Sequence, residues 1–356
     1  MSNEIKSKWS GKRFGNGWLK KIAVGALALL LFSAAPLDSN AKQLIPKSKI
    51  FDLMAPGKEL IRDKELYNGT VQQSFAFDNV NQHIYVVQLM AGGQQLPGEE
   101  APVSGAKRSE QGDLTLTKLD IDGNILGHMF LTGFGHGVQI GVEVEGNTPY
   151  LWTETDSVAE GKDGWGTQLA RFPFNNGAIL TPDSPSLEKH RLIEGVDRTT
   201  VNIDPANELL TMRYRKDGVF HFALFDLKQV KRNKYVPIAD VLQPPMGTFQ
   251  GFTSYGGYLY ILEGNAFGNN GSVEPYGNTY ITSVDWRTGN VVDRQLFTGG
   301  GSLTFREPEG MAIRIPNMKH PQKAQLSIGF ASNFTPNRWG NIYYIDKLVP
   351  EKSLKR

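Results

Sequence analysis

Five times along the chain a short apolar strand, a tight polar turn and a second strand rich in aromatic or aliphatic residues recur. The pairs are Phe75–Asp78 with Ile84–Val87, Ile140–Glu143 with Tyr150–Trp152, Val201–Asp204 with Leu209–Met212, Gly251–Ser254 with Tyr258–Leu262, and Gly310–Ile313 with Gln325–Phe330. With Phe75, Ile140, Val201, Phe252 and Met311 as equivalent markers, the spacings are 65, 61, 51 and 59 residues. Each interval holds four short strands and their loops, the repeat of a β-propeller blade. One blade cannot bury both of its faces alone, so the repeats must close on one another. The fold class expected is all-β: a single five-bladed propeller.

Further strands fit this frame. Leu114–Ile121 and Ile125–Leu131 flank Asp122-Gly123-Asn124, and Tyr280–Trp286 and Asn290–Phe297 flank Arg287-Thr288-Gly289. Both triplets are hairpin signals. Asp122-Gly123-Asn124 also invites a calcium-loop reading, but the closing acidic residue of such a loop is missing. Third strands are expected at 167–172, 219–224 and 340–345. Little chain remains after the last of these, so the outermost strand of the fifth blade must come from elsewhere. Lys49–Leu53, or a piece of the segment up to Leu66, would fill that slot, close the ring and remove an exposed edge.

The N-terminus carries Lys6, Lys8, Lys12, Arg13, Lys20 and Lys21, then an uncharged stretch from Ile22 to Ala35 and a small-x-small Ser39-Asn40-Ala41. This is the pattern of a signal peptide cut after Ala41, of the long basic kind found in Gram-positive bacteria. A retained anchor is the rival reading, but the apolar stretch falls short of the roughly 20 residues of a spanning helix. The domain expectation is therefore a signal peptide over 1–41, a propeller over 42–346 and a charged tail over 347–356, in a secreted, wall-associated protein without stable membrane insertion. There is no cysteine, which excludes a lipoprotein anchor, disulfides and thiol chemistry. Lys and Arg total 38 against 36 Asp and Glu in the whole chain. Residues 1–41 hold six basic and two acidic residues, so residues 42–356 carry 38 − 6 = 32 against 36 − 2 = 34, about −2. Nucleic acid is not an expected partner.

Loop length separates the two faces of the ring. The connections from second to third strand, which share a face with the blade-to-blade connections, are long at 90–112, 155–166, 264–276 and 332–338 and short only at Lys216-Asp217-Gly218. First-to-second turns are mostly tight. Binding is expected on the long-loop face. The segments leading into the inner strands there carry Gln73, His136 with Gln139, Arg198 with Thr199 and Thr200, Gln250, and Glu307 with Glu309. They either cap the inner strands by bonding one another, or form a polar site for a ligand with many hydroxyls or a phosphate, Arg198 being the natural anion contact. Trp165, Phe267 and Trp339, with Tyr276 and Phe334, stand in the long loops. Such rings either pack beneath the loops or offer planes to the C–H faces of sugars.

Chemistry beyond binding finds little support. His136 lies in Gly133-Phe134-Gly135-His136-Gly137, a turn that lets the backbone approach something closely, but no His or Cys stands at ligand spacing, so no metal is expected. No serine lies in a Gly-x-Ser-x-Gly elbow. Glu307 and Glu309 lie two apart on one strand, whereas glycoside hydrolysis wants carboxyls facing each other across a sugar. No catalytic residue and no cofactor is expected.

The stretch Asp120-Ile121-Asp122-Gly123-Asn124-Ile125-Leu126-Gly127-His128-Met129, with Gly133–Glu143 after it and Arg306-Glu307-Pro308-Glu309-Gly310-Met311-Ala312 near the end, resembles the propeller shared by teichoic acid biosynthesis protein C and the receptor-binding proteins of staphylococcal phages, and more distantly helveticin J-type bacteriocins. The resemblance covers about 73–345. It implies a propeller that binds cell-wall teichoic acid or a related anionic glycan. A secreted antibacterial protein, or a hydrolase or transferase of wall polymers, are the alternatives it leaves.

Overall fold

The structure, a computed structural model, describes residues 43–354, so the expected signal peptide lies outside the described residues. Five antiparallel blades stand around an axis, with inner strands Gln72–Asp78, Gly141–Glu145, Asp197–Asp204, Phe249–Tyr255 and Glu307–Arg314. Both faces of the middle strands are covered, so burial runs along them without alternation; all eight residues of Gln325–Ser332 are buried. Third strands run over Gln168–Pro173, Val219–Asp226 and Trp339–Ile345, each within two residues of the expectation.

The apolar residues sort into one layer per blade interface. Tyr85, Val87 and Leu116 of the first blade meet Val142 and Leu151 of the second. Trp152 and Leu169 meet Val201 and Leu210 of the third. Phe222 and Leu224 meet Phe252 and Ile261 of the fourth. Tyr260 and Leu262 meet Met311 and Ile328 of the fifth. Ile342 and Ala312 return to Phe75 and Val86 of the first. A blade removed from the ring would expose two such layers at once, so stability is a property of the closed circle.

Closure uses the second of the two candidate segments. Lys58–Glu65 pairs with Trp339–Ile345 as the outermost strand of the fifth blade, Ile61 opposite Ile342. Ile50–Phe51 instead pairs with Leu348–Val349, so the chain after Asp346 takes part in a second clasp. Phe51 is fully buried there; its ring lies 5.5 Å from those of Tyr255 and Tyr260, and its N–H donates to the Tyr260 hydroxyl at 3.1 Å. Asp52 and Lys347 form an ion pair at 2.8 Å beside it.

Near the axis the inner strands come closer than a side chain would allow. A Cβ on Gly251 would lie 2.8 Å from the Gly310 Cα, and one on Gly310 would lie 2.7 Å from the Ser74 Cα. Both glycines have positive φ, 147° and 78°, so only glycine fits on both counts. Gln139 crosses this constriction from the second blade: its Oε1 accepts from the Phe252 and Met311 N–H groups at 3.2 and 3.1 Å, and its Nε2 donates to the Met311 carbonyl at 2.7 Å. Gln139 thereby ties the second, fourth and fifth blades to one another near the axis. Replacing Phe51 by Ala is expected to destabilise the fold by about 3–5 kcal/mol in urea unfolding, the cost of emptying a buried aromatic site. An effect below about 1 kcal/mol would show the second clasp to be dispensable.

Candidate functional site

The long-loop face is built from ordered pieces. The connection 90–112 of the first blade contains a helix, Gly105–Gln111, capped by Ser104 and ended by Gly112 at φ 75°. Its Arg108 is buried between Glu99 at 2.5 Å and Asp113 at 2.9 Å, which pins the loop to the blade. The connection of the second blade is a hairpin of Val158–Glu160 and Asp163–Trp165.

That hairpin brings three of the expected residues together. Trp165 carries the His136 ring at 4.6 Å, nearly parallel, and the Arg198 guanidinium at 4.1 Å. Stacking on the indole holds both partners in place at the mouth. Arg198 has a left-handed backbone, φ 47°, and binds Glu160 at 2.9 Å; Arg215 binds the same carboxylate at 2.8 Å and Asp197 at 2.8 Å. The expected anion contact is therefore already charge-matched within the protein. Burial holds the His136 imidazole below its ordinary pKa, against Asp163 at 3.9 Å, so the ring is neutral at pH 7.

The glycine-rich turn around His136 approaches a buried carboxylate. Glu154 Oε1 accepts from the His136 and Gly137 N–H groups at 3.0 and 2.7 Å, and Oε2 from Gly166 at 2.7 Å. A Cβ on Gly135, at φ 155°, would fall 2.2 Å from the Glu154 Cδ. Burial pushes Glu154 up to about 7, with the three N–H donors opposing.

The remaining expected residues are distributed differently. Gln139 lies below the mouth, where its amide is spent joining blades, and Gln250 donates to the Gly264 carbonyl at 3.0 Å. Gln73 sits half-buried in the bulge between Gln72 and Ser74. Phe267 bonds its N–H to the carbonyl of Phe305, in the segment leading into the fifth blade, and Trp339 begins the third strand of that blade, opposite Glu65. Glu309 is buried and Glu307 partly so, with no hydrogen-bond partner for either side chain among the described residues. Burial raises the pKa of both, the charge of Glu307 raising Glu309 further and Arg338 opposing at Glu307. Arg306, from the same motif, is fully buried and donates to the carbonyls of Tyr276, Phe297 and Gly299 and to Thr279, fastening two loops.

One charged group at this mouth carried no motif. Arg213, on the second strand of the third blade opposite Thr200, is held flat against the Phe220 and Phe249 rings at 3.7 and 3.8 Å, with its Nε donating to Gln243 at 2.8 Å. Burial pushes it down to about 9; the Arg198 charge adds to the shift and Glu154 opposes it. Among the described residues no group of three or more His, Cys, Asp or Glu is placed to hold a metal ion.

Residues 71–344 match the phage five-bladed β-propeller receptor-binding platform domain. The chain belongs to that family. A Bacillus subtilis (strain 168) protein, provisionally named major teichoic acid biosynthesis protein C, is 28% identical over 307 residues, 83% of this chain and 64% of the relative. The tail fiber of Staphylococcus aureus phage P68 superposes with a TM-score of 0.58 at 19% identity, over 86% of this chain and 53% of the fiber. The chain thus spans less than two thirds of either relative, and the fiber speaks to the fold alone.

The Glu154 carboxyl sets a pH dependence. Its folded pKa lies above the unfolded value near 4.5, so its contribution is fully present below pH 4.5 and is lost as pH rises to about 7. For a shift of this size the loss is on the order of 3 kcal/mol. Glu154→Gln has no such charge, and its stability relative to wild type is expected to improve between pH 5 and pH 8 in urea titrations. A difference independent of pH would show that Glu154 does not titrate in this window.

Proposed function

We propose that this protein is a secreted propeller that binds cell-wall teichoic acid, or a related anionic glycan, on its long-loop face without cleaving it. The observation that carries the reading is membership of a receptor-binding propeller family together with a relative whose name places it in teichoic acid biosynthesis. The geometry is compatible with it. The mouth combines Arg198, Arg213 and Arg215 of the third blade with the half-buried Glu307 and buried Glu309 of the fifth, groups suited to phosphate oxygens and to sugar or polyol hydroxyls respectively.

Export belongs to the same reading. Residues 1–41 act as the leader, with cleavage after Ala41, and the propeller is released to the surface or the medium. Among the described residues no helix is long and apolar enough to cross a membrane. Mass spectrometry of the protein from a Gram-positive host is expected to find Lys42 as the first residue; a chain still beginning at Met1 would tether the propeller instead.

The binding test is sedimentation of the propeller with purified walls. Walls carrying teichoic acid are expected to retain it, walls stripped of the polymer to retain far less, and retention to fall as salt rises because the contact is partly ionic. Equal retention on both wall types would overturn the proposal. Since Glu160 already neutralises Arg198, Arg198→Ala alone is expected to weaken retention by less than about 1 kcal/mol, in the range of an exposed ion pair.

A further inference from the structure

Four arginines are buried among the described residues: Arg108, Arg171, Arg213 and Arg306. Three are compensated by the protein. Arg108 has Glu99 and Asp113, Arg171 has Glu143, Glu145 and Glu188, and Arg306 has its ring of carbonyls. Arg213 has one neutral partner, Gln243 on Nε, and no carboxylate within ion-pair distance. Neither of its Nη atoms has a hydrogen-bond partner, and neither is among the fully enclosed unpaired atoms, so both still reach solvent. An arginine that has lost most of its water usually regains the loss from a carboxylate or a set of acceptors, and here the contributors are one amide oxygen, two phenyl rings and the more distant charge of Glu154.

We propose that Arg213 is an anion subsite of the long-loop face, which takes a singly charged oxyanion end-on through its two Nη groups. On the wall-polymer reading, on which this inference rests for its ligand, that oxyanion is the phosphodiester of a polyol-phosphate backbone. The rings of Phe220 and Phe249 cover the guanidinium plane and Gln243 holds Nε, so the Nη edge is what remains for a ligand. Two parallel N–H donors match the two non-bridging oxygens of a phosphodiester, and one positive charge meets one negative charge. Arg198 is close enough for its charge to be felt at Arg213, but it is paired with Glu160. The slot is preorganised: the aromatic clamp has already met the entropy of fixing a long side chain.

The test uses the full propeller with three probes: a short glycerol-phosphate oligomer, a galacturonate oligomer of equal charge and inorganic phosphate. Binding is read by calorimetry and by the guanidinium NMR signal of Arg213, assigned by its absence in Arg213→Lys. The glycerol-phosphate oligomer is expected to move that signal, and Arg213→Met to weaken the oligomer about 10–100-fold, a charge-assisted pair in a desolvated slot. Arg213→Lys should lose at least several-fold, since a point charge does not reproduce the fork. Arg213→Met is expected to keep or raise the melting temperature, and if it fails to fold, Arg213→Lys and the wild-type signal decide alone. Wild-type affinity in the folded variants, or an unmoved signal with every probe, would overturn the subsite, and galacturonate binding as well as glycerol phosphate would overturn the phosphodiester assignment. Walls that retain wild type and Arg213→Met equally would overturn the subsite and leave the wall-binding proposal standing. Walls that retain neither, with an oligomer that still moves the Arg213 signal, would do the reverse.

Discussion

Each blade is apolar on both faces, and every other feature of the molecule depends on the need to cover them. Five interface layers, from Tyr85 against Leu151 round to Ile342 against Phe75, bury the middle strands on both sides. No blade can leave the ring without exposing two layers, and Trp339–Ile345 has both edges paired only because Lys58–Glu65 completes the fifth blade. The clasp at Ile50–Phe51 and Leu348–Val349 extends the same solution to the ends of the described chain. With no cysteine to staple it, closure by strand exchange and packing carries the whole of the stability.

Packing five inner strands around one axis creates a second constraint, which the glycines answer. Gly251 and Gly310 let backbones approach within side-chain distance, and the polar groups so crowded need partners. Gln139 supplies them for Phe252 and Met311, and Asn202 does the same by bonding the Ile140 carbonyl and the Thr253 hydroxyl. The functional consequence is that Gln139 and Asn202 near the axis are spent on structure.

The blade count, the strand pairs and the origin of the closing strand were legible because two-sided burial leaves paired strands rich in aliphatic and aromatic residues at intervals of 51 to 65 residues. Turn chemistry was only partly legible. Asp122-Gly123-Asn124 reads as a hairpin, yet the residue that organises it is Asp120, which accepts from the Asp122 and Asn124 backbones and the Asn124 amide. Asp78 with Asn81, and Asp204 with Asn207, repeat the device at the ends of two inner strands, an Asp-x-x-Asn pattern that the chain shows plainly. The rim was legible as a set of positions and not as a set of roles. Gln139 and His136 stand in one loop of polar residues, but one closes the axis and the other stacks on Trp165, a difference fixed by contacts more than 20 residues away. Glu154 and Arg213 lie inside ordinary strand sequences, Thr148–Thr155 and Leu209–Lys216. Nothing local marks them, since what makes them unusual is the loss of water imposed by neighbouring blades.

Charge at the mouth follows one rule with few exceptions, and the exceptions locate the part of the face left unfinished by the protein itself. Arg198 and Arg215 share Glu160, and Glu154 is held by three backbone donors. Each such set is internally complete, so a ligand would have to break bonds to use it. Arg213 and the pair Glu307 and Glu309 are desolvated without an equivalent partner, and their pKa values move toward the neutral forms, down for the arginine and up for the acids. Folding alone would favour apolar residues at such positions. Their place on the face with the long loops, in a family of receptor-binding propellers, makes them the groups through which a charged and hydroxylated polymer would gain most from contact.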